Sequence, residues 1–271
     1  MKAAGLTAAV AFAGAPAFST PERKAIKGNH LFKLGLASYS LRKFKVEDAL
    51  DMAKRVGITH VCLKSMHLEL NSDKNEMQRV SSMCKDRNLE LSAGGVIYMK
   101  NEEEIDKAFE YAVNAGMKMI VGVPEPDLLK YTEKKVKKTG IIVAIHNHGP
   151  GDEKYPSPES VMDKIKKLDK RIGLCHDIGH TQRIKLDPIA ETEKYLDRIY
   201  DFHIKDVSAS SAEGKNIEIG RGVMDIPGFL KLLVDKKYSG TVSFEFEKDA
   251  DDPLAGLAES VGYVNGVLAT I

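Results

Sequence analysis

The chain has 271 residues, with 40 basic side chains against 39 acidic ones, a formal net charge of +1 and no tryptophan. That balance gives no whole-molecule field to recruit nucleic acid or an anionic membrane, and the length suits one large barrel-type domain or two ordinary ones. Three cysteines, Cys62, Cys84 and Cys175, are too few and too scattered for a disulfide framework or a zinc motif, so they read as small buried hydrophobes.

Residues 1–20, MKAAGLTAAVAFAGAPAFST, carry one lysine, an Ala/Gly/Val/Phe stretch and then Ala15-Pro16-Ala17, the small-x-small pattern of a signal-peptidase site. The segment reads as an export signal, which makes the protein exported and periplasmic; read instead as a flexible tail, it leaves the protein cytoplasmic. No other run approaches the length of a transmembrane helix, so no membrane span is expected in the mature chain.

From Phe32 onward, short apolar runs alternate with longer amphipathic ones. Strands are expected at Phe32–Ser38, Thr59–Lys64, Glu90–Val96, Met117–Val123, Ile141–His146, Ile172–Asp177, Ile199–Lys205 and Thr241–Glu247. A helical pattern follows each. Val46–Val56 sets Val46, Ala49, Leu50, Ala53 and Val56 on one stripe, and Ile105–Ala115 does the same with Ile105, Ala108, Phe109 and Ala112. Both stop at a glycine, Gly57 and Gly116. Prolines announce later helices at Pro158, Pro188, Pro227 and Pro253. Eight such units close most simply into a single-domain (β/α)8 TIM barrel over residues 30–271. FKLGLASYSLR at the first strand offers no glycine-rich phosphate turn, which argues against an open dinucleotide-binding sheet.

Barrel enzymes carry their chemistry at the carboxyl ends of the strands. Strand five runs into IIVAIHNHGP, where His146 and His148, two apart, share a face. Strand six, IGLCHDIGH, brings Cys175 and Asp177 inward, with His180 three residues on and His176 facing away. Strand seven, IYDFHIKD, sets His203 and Lys205 opposite Phe202 and Ile204, and strand eight, TVSFEFEK, sets Ser243, Glu245 and Glu247 opposite Val242, Phe244 and Phe246. Two imidazoles and two carboxylates make an open nitrogen/oxygen site for a divalent metal, Mn, Fe, Co, Zn or Mg. His146, Asp177, His203 and Glu245 are the expected ligands. His148, His180, Lys205 and Glu247 are left to surround the ion or face a substrate.

LGLASYSLR, AIHNHG, DIGH, HIKD, IGRGVMDIPGFLKLL and SFEFE together resemble the xylose isomerase-like TIM barrels, a family of sugar isomerases and epimerases, inosose dehydratases and apurinic endonucleases. The resemblance spans Phe32 to the C-terminus. It implies metal ligands of the pattern Glu, Asp, His, Glu on strands five to eight, which fall on His146, Asp177, His203 and Glu245. His146 therefore stands where the family usually has a glutamate that, in epimerases, also exchanges a proton with the sugar. By the same resemblance His180 matches a substrate-contacting histidine and Lys205 a lysine beside the metal.

Lys64 and His67 after strand two, and Glu125 after strand four, are further candidates for substrate contact. The Gly220-Arg221-Gly222 turn could present Arg221 and backbone N–H groups to an anion. The Lys134–Lys138 run reads as the wet face of a helix. The resulting expectation is a metal-dependent isomerase or epimerase acting on an unphosphorylated sugar or keto-sugar through an enediolate. Glu245 or Glu247 serves as base, His148 or His180 as proton donor, and Lys205 holds the developing charge. Alternatives are a lyase or dehydratase of a keto-sugar or polyol, an apurinic-endonuclease-like phosphodiesterase, and a non-catalytic sugar-binding barrel. The partner expected is a small carbohydrate, with a homo-oligomer left open.

Overall fold

In the computed structural model of the chain, which describes residues 30–271, the alternating apolar runs become parallel strands that close on themselves. The export signal expected over residues 1–20 lies outside the described residues. The barrel strands are β1 (Lys33–Ala37), β2 (His60–Leu63), β3 (Glu90–Met99), β4 (Met119–Pro124), β5 (Ile142–His146), β6 (Ile172–Asp177), β7 (Ile199–Ile204) and β10 (Thr241–Phe244), with β10 pairing back onto β1. A small antiparallel hairpin, β8 (Asp206–Val207) with β9 (Asn216–Ile217), interrupts the connection after β7. Helices α1 (Val46–Arg55), α2 (Lys74–Asp86), α3 (Glu102–Ala115), α4 (Leu129–Thr139), α5 (Pro158–Ile165), α6 (Ile178–Arg183), α7 (Pro188–Tyr195), α8 (Ile226–Asp235) and α9 (Leu254–Leu268) join the strands. The expected (β/α)8 barrel is the architecture observed.

Local chemistry explains where the helices begin and end. The Asn101 side chain accepts from Glu104 N–H at 2.9 Å to start α3, and Gly116, at φ 73°, closes it. Ser157 caps α5 through Ser160 N–H, with Pro158 in the first turn. The lysine run at 134–138 is carried on α4, whose buried positions are Leu129, Thr132 and Val136.

Two apolar layers follow from strand alternation. The outer one fills the space between strands and helices, and the inner one is a plug of small side chains, Cys62, Ala93, Val121, Ala144 and Cys175, with Met119. All three cysteines are buried and free. Among the described residues no helix is long and apolar enough to cross a membrane.

Two strands end three residues away from the sequence expectation, the others within one. β3 continues to Met99 through Gly94-Gly95 and carries Tyr98 up to the rim. β10 stops at Phe244, so Glu245 and Glu247 stand just beyond the sheet. Glu245 keeps one backbone bond, its N–H donating to the Ile204 carbonyl at 3.1 Å, and side chains hold the rest: Ser40 Oγ accepts from Phe246 N–H at 2.9 Å, and Asn216 Oδ1 accepts from Glu247 N–H at 3.0 Å while its Nδ2 donates to the Glu245 carbonyl at 3.4 Å.

Candidate active site

At the end of β5, His146 turns into the barrel mouth while Asn147 turns sideways and ties two strand ends together. Its Oδ1 accepts from Asp177 N–H at 3.0 Å, and its Nδ2 donates to the Asp177 carbonyl and to Thr181 Oγ1, both at 3.2 Å. His148 comes back to the mouth, stacked on Tyr98 at 5.7 Å between centroids, with its Nε2 3.1 Å from the Tyr98 hydroxyl.

Asp177 ends β6 and caps α6 in the same stroke. Its Oδ1 accepts from His180 N–H at 2.7 Å, which leaves Oδ2 facing the mouth. The helix starts directly against the next strand because residue 179 is glycine; a Cβ there would lie 2.3 Å from Cγ of Lys205. His180 is thereby held with Nε2 3.8 Å from Asp177 Oδ2. His176, facing out as expected, is held between Thr181 and Thr192 behind the sheet.

From β7, Asp201, His203 and Lys205 stack along one inward face. His203 Nδ1 sits 3.0 Å from His146 Nε2 and 3.1 Å from Glu245 Oε2. Lys205 Nζ lies 2.9 Å from Asp177 Oδ2, 2.6 Å from Glu245 Oε2 and 2.6 Å from Glu247 Oε1. Below them Asp201 is buried with Ser243 Oγ donating at 3.0 Å, and burial pushes its carboxyl up to about 7.

These contacts fix the electrostatics. Burial opposes the Lys205 ammonium, but Asp177, Glu245 and Glu247 outweigh it and hold it charged. Burial would likewise raise Asp177 and Glu245, yet the neighbouring cations hold both well below the usual carboxylate range. His146, His148 and His180 are held below their ordinary value by burial and are neutral at pH 7, so the lasting cation beside Asp177 is Lys205. His203 goes the other way: burial lowers it, but Glu245 outweighs burial and raises it.

His146, Asp177, His203 and Glu245 each offer a donor atom, all within 4.8 Å of one another. Donors on opposite sides of an ion at about 2.2 Å are about 4.4 Å apart, so this spread needs only slight contraction around a metal. Asp177 Oδ2 is buried with no hydrogen bond beyond its 2.9 Å ion pair with Lys205, and His146 Nδ1 and His203 Nε2 are buried without partners, so the cluster keeps oxygen and nitrogen capacity that a divalent ion would take up. Three carboxylates against one ammonium leave two negative charges, the charge such an ion balances. The residues fit the group. Cys175 lies within the same reach of His146 and His203, but burial pushes its thiol well up, so it stays protonated and a poor ligand.

Other expected contacts are placed differently. Lys64 stands at the end of β2, its Nζ donating to the Val96 carbonyl at 3.2 Å and lying over the Tyr39 ring. His67 is 5 % exposed, with one ring nitrogen 2.9 Å from Ser38 Oγ and the other 3.2 Å from the Leu41 carbonyl, so neither is free for a substrate. Arg221 is directed to α9, where it pairs with Glu259 at 2.5 and 2.7 Å. The backbone N–H groups expected to cradle an external anion are already filled by Asp206. Its Oδ2 accepts from Gly220 and Gly222 at 3.0 and 2.9 Å, and a Cβ at residue 222 would lie 2.0 Å from that carboxylate. Sequence reasoning passed over Asp206, Asn147 and Asn216. Asp201 was detectable, since it lies two residues before His203.

A cavity of about 900 Å³ opens at the opposite, amino-terminal end of the barrel, near Lys33, His60, Glu90 and Tyr200. None of the residues gathered at the mouth lines it, and the chemistry of such barrels belongs to the other end.

Comparison with known proteins agrees with this fold. A 3-keto-D-glucoside 4-epimerase from E. coli is similar in structure, with TM-score 0.71 and 16% identity over 87% of this chain and 99% of that one. A Bacillus anthracis protein named "probable 3-DHS dehydratase AsbF" gives TM-score 0.71 and 13% identity over 86% and 98%. A sugar phosphate isomerase/epimerase from Parabacteroides distasonis gives TM-score 0.66 and 18% identity over 86% and 96%. At these identities the likeness is one of fold. No curated protein matches the sequence. A family profile described as xylose isomerase-like TIM barrel matches residues 41–265, and on that match the chain belongs to the xylose isomerase-like TIM barrel family.

Proposed function

We propose that the protein is a divalent-metal-dependent isomerase or epimerase of a small carbohydrate, working by proton removal alpha to a carbonyl. The observation that carries this reading is the convergence of His146, Asp177, His203 and Glu245 at the barrel mouth, with Lys205 touching three carboxylates. A divalent ion held by those four residues would, when bound, polarise the carbonyl and stabilise negative charge on its oxygen. Lys205 supplies a second, permanent positive charge to the same oxygen. Glu247 is the base, because its side chain is 35 % exposed and reaches the opening, whereas Asp177 and Glu245 are buried. His148 and His180, neutral at pH 7, stand on the β5–β6 side and carry a proton to or from the other face of the substrate.

A lyase or dehydratase is the second reading. It is favoured by His146 standing at the end of β5, so that imidazoles face the Glu245–Glu247 side and acid and base differ in kind. Turnover in deuterated water with metal restored tests both readings. Deuterium at the alpha carbon with the molecular formula otherwise unchanged supports the isomerase or epimerase, and exchange with loss of water supports the dehydratase. Absence of exchange in every accepted substrate rejects the shared proton-abstraction chemistry.

A further inference from the structure

We propose that the groove between α6 and the β8–β9 hairpin binds an oxyanion carried by the substrate, a carboxylate or a phosphate, through Arg183 and Lys215. The proposal rests on the reading of the barrel mouth as the reaction centre and names the class of substrate that centre takes. A cavity of about 340 Å³ lies there, lined by His180, Arg183, Lys205, Lys215, Glu247 and Lys248 among others. It opens directly beside the proposed base and the ammonium that touches the carboxylates.

The cations around this groove are not equally available. Lys205 is taken up by Asp177, Glu245 and Glu247, and Lys248 pairs with Glu218 at 2.8 Å. Arg183 and Lys215 form no ion pair with any acid among the described residues. Arg183 donates from Nη2 to the Ala212 carbonyl at 2.7 Å, and its Nη1 lies 3.3 Å from His180 Nδ1, while its Nε is buried without a partner. Glu213, the acid whose charge bears on Arg183, is exposed and bonded to Ser211 instead. Arg183 lines the cavity, and a guanidinium there that is unmatched by an acid suits a planar or tetrahedral oxyanion.

The chain places this group by helix geometry. Asp177, His180 and Arg183 follow one another at intervals of three from the cap of α6, so they form a row running out of the barrel mouth. A single imidazole spans the interval, with His180 Nε2 toward Asp177 and Nδ1 toward Arg183. The anionic group therefore sits only a few bonds from the reacting carbon. Lys215 closes the opposite wall from the hairpin, next to Asn216, which positions the Glu245–Glu247 segment.

Calorimetric binding of matched ligands tests this. One set is D-fructose, D-fructuronate and D-fructose 6-phosphate; the other is dihydroxyacetone, hydroxypyruvate and dihydroxyacetone phosphate. Measurements are made on metal-loaded and on EDTA-treated protein. A charged hydrogen bond contributes about 1.5–3 kcal/mol, so an anionic ligand should bind about 10- to 100-fold tighter than its neutral counterpart. Whichever of carboxylate or phosphate binds tighter identifies the source. The preference should collapse in Arg183→Gln, return in part in Arg183→Lys, weaken in Lys215→Gln and fall as salt rises. It should persist after EDTA treatment, because neither residue is among the metal donors. Equal affinity for charged and neutral members, no binding by any of them, or a preference unchanged in Arg183→Gln overturns the proposal. Anion preference without deuterium exchange would instead retain the groove and reject the proposed reaction.

Discussion

Replacing Lys205 by Met removes the one ammonium that touches Asp177, Glu245 and Glu247 while keeping a stem that can lie against Gly179. Lys205 and Asp177 have side chains only 3 % and 0 % exposed, so water cannot replace the lost partner. Breaking a buried pair in this way costs about 3–5 kcal/mol, because the remaining charges stay buried and unpaired. In EDTA the variant should therefore lose about that much stability in urea unfolding. A divalent ion supplies the missing positive charge at the same carboxylates. Adding Mn2+ should then stabilise Lys205→Met more than the wild-type protein and recover most of the deficit, with the gain growing as RT ln(1 + [L]/Kd). Equal stability of the two proteins in EDTA would show that the ammonium does not offset the carboxylates. A smaller Mn2+ gain in the variant than in wild type would show that the metal does not bind beside them.

Asp201→Asn should stabilise the fold, and increasingly so between about pH 4 and pH 7. In that window the unfolded carboxyl has lost its proton and the folded one, pushed up from 3.8 to about 7, retains it, so wild-type stability falls as pH rises. At 1.36 kcal/mol per tenfold the difference reaches about 4 kcal/mol near pH 7, and thermal melts at several pH values that show a constant difference would reject it. Asp177→Ala and His203→Ala should lose bound metal, read by elemental analysis after dialysis, with secondary structure retained by circular dichroism; full metal occupancy removes that residue from the ligand set. Wild-type metal affinity should weaken as pH falls through the raised value of His203, hence already from above 6.5, because ligation requires its neutral form. A titration flat down to pH 6 contradicts this. His146→Glu should introduce epimerisation if the chain differs from a two-glutamate mechanism only there, and loss of the native reaction with no new activity shows that the imidazole serves a different chemistry.

Much of the barrel was legible in order of residues because its strands are short, apolar and separated by amphipathic helices with recognisable caps. Ile172–Asp177 matches β6 end to end, and the other strands differ by a few residues at their ends, where hydrogen bonding rather than side-chain pattern decides the boundary. Period-two alternation also fixed which residues face inward, so His203 with Lys205 could be read together, and His146 with His148. Alternation names a side; it does not name a partner. Only the folded chain shows that one Asp177 oxygen caps a helix while the other faces Lys205, because that depends on α6 starting directly at the strand end. Only tertiary contacts brought Asn147 to β6 and Asn216 to the segment after β10, directed His67 to Ser38, and filled the Gly220–Gly222 turn with Asp206. Each of those side chains meets a partner about 14 to 31 residues away, too far for any local period to register. The sequence by itself determined the inward-facing donors, and the closure of the barrel decided which of them meet, because closure sets the distances between strand ends that the chain order leaves free.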